Sequence, residues 1–376
     1  MKITIVSEFF PWSEHAELRG GVESRAFYFA KHLADKHQVE VITSYEEGTS
    51  HYSKIDKVTV LRVGRKRKYV QGGSLIKRII FIWQAKRKIQ TSHPDIIDGY
   101  NWVCHLAVWL ARSKAKKVST YHDVWVGSWI KNMGLISGIL GDLMERYILK
   151  RQWDLLIANS KVTRNKLIRC GVKNSKIEVV YNGVELDKYN YQIEKFERPT
   201  VIYAGRLVSY KRVEDLIRAI FLAKPRIPNI QLKIIGSGPE EDKLKKLAAK
   251  MDKNGAVEFL GFVEKHADVI RNIKRSHIFS LPSAVEGFGI VTLEALASGV
   301  PYVNSNIAPT REITRQGMGG LLFECYDASD LALQIIKLLQ NKTLYQRKLE
   351  EGRTLVQGLS WSSLAPRLED VYQSIL

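Results

Sequence analysis

Short strand-like apolar runs alternate with helical stretches along this chain, and the alternation occurs twice. The first series places strands at Ile3 to Ser7, Val39 to Thr43, Val58 to Val63, Asp95 to Asp98, Lys117 to Thr120, Leu155 to Asn159 and Glu178 to Tyr181. Helices are expected near Gly21 to Lys36 and at Leu135 to Arg151, with Asn159-Ser160-Lys161 reading as a strand end followed by a helix cap. From Thr200 the pattern restarts. Strands are expected at Val201 to Ala204, Gln231 to Ile235, Val257 to Phe259, Ile278 to Leu281 and Pro301 to Asn304, and helices at Val213 to Phe221, Glu240 to Lys250 and Ile290 to Ser298. Strand-helix-strand order implies parallel sheets covered by helices, so the chain reads as two doubly wound α/β domains. A polar stretch, ELDKYNYQIEKFERP, separates them. Its length of 376 residues fits two domains.

Parallel sheets bind ligands at the carboxyl ends of their strands, so functional residues are sought in the loops that follow strands. Four such loops stand out. Gly20-Gly21-Val22-Glu23 opens the first helix with amides that an anion can approach. Tyr121-His122-Asp123 follows a strand, although a His beside an Asp is also an ordinary satisfied surface pair. In Gly205-Arg206-Leu207-Val208-Ser209-Tyr210-Lys211, an Arg and a Lys five apart can converge on one diphosphate, the Arg as a planar fork and the Lys as a point charge. The fourth, Glu286 to Pro301, is the most specific. Its glycine-bracketed start delivers free amides at a helix amino terminus, and Glu294 lies within an otherwise apolar helix where an ionised carboxylate needs a reason. Two carboxylates eight residues apart can hydrogen-bond two hydroxyl-rich parts of one ligand.

The net charge is +19, from 58 Lys/Arg against 39 Asp/Glu. Residues 1–190 carry 32 basic and 18 acidic residues, the remainder 26 and 21, so the excess belongs to the first half. Ten Lys/Arg lie between Arg62 and Gln90 with no acid among them: Arg62, Arg65, Lys66, Arg67, Lys68, Lys77, Arg78, Lys86, Arg87 and Lys88. Within that segment Ser74 to Gln90 reads as a helix with Leu75, Ile76, Ile79, Ile80 and Trp83 on one face, and Phe81 and Ile82 spread the apolar surface further round. A charge run is commonly a solvated face, but a basic amphipathic helix also lies on anionic membranes. No helix-turn-helix, RNP or zinc-finger pattern supports nucleic acid as the partner. No apolar run is long enough to span a membrane, and the amino terminus enters a strand without a signal-peptide layout, so the expected setting is cytoplasmic. Three widely spaced cysteines, Cys104, Cys170 and Cys325, argue against a disulfide framework or a zinc site and are expected to be inert core thiols.

Together the four loops resemble the family 4 glycosyltransferases, retaining enzymes that move a sugar from a nucleotide diphosphate donor. The resemblance spans nearly the whole chain. It rests on EGFGIVTLE followed by ALASGVPYV, a Glu-x7-Glu segment, and on GRLVSYK, VYNGVELDKY, FFPWSEHAELRGGVE and YHDVW in the expected order. It implies a GT-B fold, two facing Rossmann-like doubly wound domains with a cleft between them: residues 1–185 for the acceptor, 186–358 for the nucleotide sugar, and 359–376 a helix returning to the first domain. It also implies roles. Arg206 and Lys211 would bind the donor diphosphate, with Gly21 amide contacts opposite. Glu286 would hold the transferred sugar with the helix start at Phe288, Gly289 and Ile290, Glu294 the ribose hydroxyls, and His122 would sit beside the sugar. Phe262 and Val263 would face the base, and Gly236 and Gly238 would form the turn at the cleft floor.

The donor would be a UDP- or GDP-sugar, with no cofactor and no metal required; Asp-x-Asp is absent from the sequence. Where many members carry a glycine pair after Pro301, this chain has Asn306-Ile307-Ala308-Pro309-Thr310. The acceptor is expected to be a membrane lipid, a lipid-linked oligosaccharide or a cell-surface glycan precursor. Arg65, Lys66, Arg67, Lys68, Lys77, Arg78, Trp83, Lys86, Arg87 and Lys88 would form the membrane or acceptor patch of an enzyme peripheral to the inner face of the cell membrane. The alternatives are a nucleotide-sugar 2-epimerase of the same architecture and a catalytically silent membrane-associated binding protein.

Overall fold

The runs rich in Ile, Val and Leu form parallel strands covered on both faces, which is why they read as continuous apolar stretches rather than as alternations. Ile96–Gly99, Leu155–Ala158, Thr200–Ala204 and Ile278–Leu281 are buried at every residue. The computed structural model describes residues 1–14, 18–68, 74–130, 134–251 and 255–376. The chain divides into two units, the first made of Met1–Asn182 and Trp361–Leu376, the second of Gly183–Ser360.

The first unit contains, in order, β1 (Lys2–Val6), α1 (Gly21–Leu33), β2 (Gln38–Glu46), β3 (Tyr52–Ile55), β4 (Val58–Arg67), α2 (Leu75–Ser92), β5 (Ile96–Gly99), α3 (Trp102–Leu110), β6 (Lys116–Tyr121), α4 (Leu135–Leu149), β7 (Leu155–Ala158), α5 (Lys161–Arg169) and β8 (Ile177–Val179). Its sheet runs β3-β4-β2-β1-β5-β6-β7-β8, parallel except for the β3–β4 pair. The second unit contains β9 (Thr200–Ala204), α6 (Val213–Ala223), β10 (Gln231–Ile235), α7 (Glu241–Met251), β11 (Val257–Gly261), α8 (His266–Arg275), β12 (Ile278–Leu281), α9 (Ile290–Ala297), β13 (Tyr302–Ser305), α10 (Ala308–Ile313), β14 (Gly320–Phe323), α11 (Ala328–Gln340) and α12 (Lys342–Gln357). Its sheet is parallel throughout, in the order β11-β10-β9-β12-β13-β14. Strand order reverses between β1 and β5 in the first unit and between β9 and β12 in the second, and such reversals open a crevice at the carboxyl ends of the strands.

Three helices, α2, α3 and α4, bury one core with β5, β6 and β7, and α3 packs against both of the others. Here the expected patch is corrected. Arg62 and Arg67 are buried, and Arg78 is largely so: Arg62 gives hydrogen bonds to Ser53 Oγ (2.6 Å) and the Pro11 carbonyl (2.9 Å), while Arg67 and Arg78 both bond Glu8 Oε1, at 3.1 and 2.8 Å. The acid missing from the linear stretch is Glu8, brought in from the end of β1. Arg65, Lys66, Lys68, Arg87 and Lys88 remain exposed and Lys77 and Lys86 half-exposed. On α2 the buried residues are Phe81, Ile82, Ala85 and Ile89, whereas of the predicted apolar stripe Leu75, Ile76, Ile79 and Trp83 are 47–66 % exposed and Ile80 is half-buried. Residues 69–73 of the basic stretch and 15–17 of the first glycine-loop segment lie outside the described residues. Among the cysteines only Cys104 is a core thiol; Cys170 and Cys325 are half-buried.

The carboxyl-terminal helix, Trp361–Gln373, completes the first unit. Trp361 is 1 % exposed, stacks on Tyr28 at 5.5 Å and meets the Phe29 ring edge-on at 5.1 Å. Further along, Tyr372 donates to Asp98 Oδ2 (2.7 Å), and the Thr120 hydroxyl lies 2.9 and 2.8 Å from the two Asp98 oxygens. Arg25, fully buried on α1, reaches the Val180 carbonyl and Asn182 Oδ1 at 2.8 Å each, fixing the chain where it leaves β8.

Burial pushes the Asp98 carboxyl up to about 7 and the His105 imidazole down to about 4. The two act in opposite senses on stability. Asp98, whose proton is held more tightly in the folded chain, contributes stability at low pH that is lost as pH rises through 7. His105, kept neutral, contributes stability above its ordinary range that is lost as pH falls towards 4. In Asp98→Asn the first contribution is gone, so stability should fall more steeply between pH 6.5 and 4 than in the unmodified chain, by on the order of a few kcal/mol across that window. Urea midpoints as a function of pH test this; parallel curves for the two proteins would contradict it.

Candidate active site

The switch point of the second sheet gathers the two most specific sequence motifs. The loop after β9 carries Gly205 to Lys211, the loop after β12 carries Pro282 to Gly289, and the Ala284 amide donates to the Tyr210 carbonyl at 2.8 Å, joining the loops. Lys211 Nζ donates to Glu286 Oε1, which also accepts from Ser283 Oγ at 2.8 Å. Both side chains of the ion pair are mostly covered, at 15 % and 10 % exposure. Arg206 is exposed, and its guanidinium makes no hydrogen bond or ion pair with any described residue. Its position is set by the backbone, because the fully buried Tyr203 donates its hydroxyl to the Arg206 carbonyl at 2.8 Å.

Glycines let neighbouring loops close on this one. A Cβ on Gly236, at φ 131°, would lie 1.9 Å from the Gly205 carbonyl oxygen, and one on Gly238 would lie 2.3 Å from that of Leu207. Hydrogen bonds from Leu207 N to Ser237 O (2.9 Å) and from Gly236 N to Gly261 O (2.8 Å) stitch the ends of β9, β10 and β11 together. Beyond Gly261, Phe262 is 74 % exposed and Val263 is half-buried.

Gly289, at φ 79°, caps α9 and turns the chain so that the first amides of the helix, beginning at Ile290, face the carboxyl ends of the strands. Phe288 is buried at 6 % exposure, so the segment contributes backbone rather than ring surface. Glu294 is half-buried on α9, and its Oε1 lies 3.1 Å from His266 Nε2. His266, at the start of α8, was not singled out in the sequence; a lone histidine 28 residues before its partner carries no local signal.

In the first unit the candidates lie on two different elements, α1 and the loop after β6. Gly21 begins α1, and no described atom lies within 4 Å of where its Cβ would be, so open space rather than packing surrounds it. Glu23 pairs with Arg19 at 2.6 Å, and Arg19 in turn pairs with Glu46. His122 follows β6. Its Nε2 is enclosed with no hydrogen-bond partner among the described residues, and burial together with the Arg25 charge drives its proton affinity well below the usual imidazole range. It does not pair with Asp123, whose Oδ1 takes Lys166 Nζ at 2.5 Å.

Two doubly wound parallel sheets in one chain, the second with a cation–carboxylate pair and a glycine-capped helix start at its switch point, are the GT-B architecture. The sequence matches Glycosyltransferase Family 4 over residues 19–188 and Glycosyl transferases group 1 over residues 188–354. The chain belongs to the family 4 glycosyltransferases. It is 25 % identical over 398 aligned residues to a glycogen synthase of Mycobacterium tuberculosis, covering 99 % of this chain and 94 % of that one. In fold it is similar to sucrose-phosphate synthase from Thermosynechococcus elongatus, with a TM-score of 0.80 at 20 % identity over 100 % of this chain and 98 % of the other. It is also similar to Anabaena Alr3699/HepE in complex with UDP-glucose, with a TM-score of 0.74 at 17 % identity over the whole of both chains.

Proposed function

We propose that this glycosyltransferase takes its sugar from a nucleotide diphosphate donor, transfers it with retention of anomeric configuration and without a metal, and delivers it to a lipid or lipid-linked glycan at an anionic membrane surface. The observation that carries the donor half is the convergence of Lys211, Glu286 and the α9 amino terminus at one switch point, with Arg206 free beside them. The UDP-glucose bound by the Anabaena protein of the same fold supports it. Arg206 and Lys211 meet the charge that builds on the diphosphate as it leaves, and the first amides of α9 add their dipoles; preorganised donors of this kind are the main source of rate in such a transfer. Glu286 accepts from sugar hydroxyls, and Glu294, oriented by His266, from the ribose. Phe262 and Val263 lie on the base side, with Gly236 and Gly238 in the turn that lets the loops nest. In the first unit the reading gives the Gly21 amide a role on the diphosphate and neutral His122 a role beside the sugar.

The acceptor half rests on α2. Its outer face presents Leu75, Ile76, Ile79 and Trp83 among Lys77, Lys86, Arg87 and Lys88, with Lys86 Nζ 4.8 Å from the centre of the Trp83 ring. No described helix is long and apolar enough to cross a membrane, and a surface of this kind docks by lying in the interface plane. Near an anionic leaflet each such cation contributes on the order of 1 kcal/mol.

A thermal-shift screen of UDP- and GDP-sugars tests the donor reading. A true donor at about a hundredfold excess over its dissociation constant stabilises the chain by about 2.7 kcal/mol, and Arg206→Ala should abolish that shift. No shift with any nucleotide sugar would sink the reading, and an epimer formed from donor alone would replace transfer by epimerisation.

A further inference from the structure

The loop that follows β6 and carries His122 is laid directly on the backbone of α4. Glu145 accepts from the Trp125 amide (3.1 Å) and from Trp129 Nε1 (2.7 Å), and Asp142 Oδ1 accepts from the Gly127 amide (2.6 Å). Glycines make the contact possible: a Cβ on Gly138 would fall 2.4 Å from the Ile130 backbone, and one on Gly141 would fall 2.4 Å from the Trp129 ring. The acids of α4 are therefore consumed by the loop, with the second Asp142 oxygen paired to Arg146 at 2.6 Å.

Beside the exposed Ser137 and Arg146, what α4 presents outward is apolar. Leu135, Ile139, Leu140, Leu143 and Tyr147 are 43–66 % exposed. An apolar helix face of this kind marks an interaction surface. The same helical layer carries the exposed stripe of α2 and its exposed or half-exposed Lys77, Lys86, Arg87 and Lys88, since α3 packs against both helices. That charge selects the occupant. A bilayer with anionic headgroups satisfies both the cations and the apolar faces.

We propose that the outer face of α4 inserts at the headgroup–acyl boundary of an anionic bilayer, and that the Glu145–Trp129 clamp thereby holds the Trp125–Ile130 loop, next to His122, at the lipid surface. The inference rests on the membrane-acceptor reading and adds the element that makes docking and acceptor presentation one event. Electrostatic attraction through α2 brings the protein to the surface; α4 sets its depth and orientation.

The experiment compares the whole chain with Leu140→Ser/Leu143→Ser and with Lys86→Gln/Arg87→Gln/Lys88→Gln by sedimentation with vesicles of phosphatidylcholine, with and without phosphatidylglycerol. All substituted residues lie on exposed or half-exposed positions of formed helices, so melting temperatures should stay close to that of the parent. The apolar double variant should bind phosphatidylglycerol vesicles about tenfold more weakly at low and at high salt, whereas the charge variant should differ from the parent only at low salt. Unchanged binding by the apolar variant, with loss in the charge variant, overturns the role of α4 and leaves the membrane reading standing. Absence of vesicle binding by the parent overturns both. A parent dimer that the apolar variant converts to monomer shows that a second copy covers the face, and overturns the proposal.

Discussion

Replacing Lys211 by alanine should lower turnover about a thousandfold, because on the proposed donor reading it removes one of the two cations that meet the leaving diphosphate, an effect of about 4 kcal/mol on the barrier. The same change has a structural cost. Among the described residues Glu286 would keep only its Ser283 hydrogen bond while remaining mostly covered, and stability should fall by about 1–3 kcal/mol. The two effects separate in the double variant Lys211→Met/Glu286→Gln, in which no uncompensated charge is left: its melting temperature should recover and its turnover should not. Recovery of turnover in the double variant would make the pair a structural brace and remove Lys211 from the chemistry. Arg206→Ala offers the contrast, since this exposed side chain makes no hydrogen bond or ion pair among the described residues, so activity should be lost with the melting temperature close to that of the parent. Steady-state kinetics beside thermal melts distinguish all three.

Trp361→Ala should destabilise the first unit by about 3–5 kcal/mol, the usual cost of removing a buried indole. Its stacking on Tyr28 and its edge contact with Phe29 tie the carboxyl-terminal helix to α1, and that helix also delivers Tyr372 to Asp98. The loss should be local. Hydrogen exchange in α1 and β5 should accelerate while β9, β10 and β12 of the second unit keep their protection. Equal acceleration in both units would show that they unfold together and that the helix is not a brace for the first unit alone.

The strands were legible because parallel strands covered on both faces are uninterrupted apolar runs, and Gln231–Ile235 and Ile278–Leu281 were predicted residue for residue. Helix α3 was not. WVCHLAVWL is apolar nearly throughout, so no 3.6-residue period shows, and only Asn101, whose Oδ1 accepts from the Cys104 amide at 3.0 Å, marked a cap. Which face of α2 packs inward was left open by the sequence for a related reason. Its apolar residues surround much of the helix, and only packing on β4 and α3 decides that Phe81 and Ile82 turn inward while Ile76 and Trp83 turn out. Sequence neighbourhood also failed for charge. Glu8 answers Arg67 and Arg78 from some sixty and seventy residues away, an ion cluster that only the closing of β1 beside the reversal point creates. At the site, Lys211 and Glu286 were each singled out, but their pairing was not, because two separate strand ends deliver them.

The first unit is discontinuous: its sheet ends at β8, yet the helix that covers α1 begins at Trp361. During synthesis, the second unit has emerged whole before that helix leaves the ribosome, so the part of the protein made first is the part finished last. Until then the Tyr28 and Phe29 rings and the Asp98 carboxyl lack their covering partners. A nascent chain stalled short of residue 361 should accordingly be held by chaperones through its oldest segment, while its youngest complete segment is already folded.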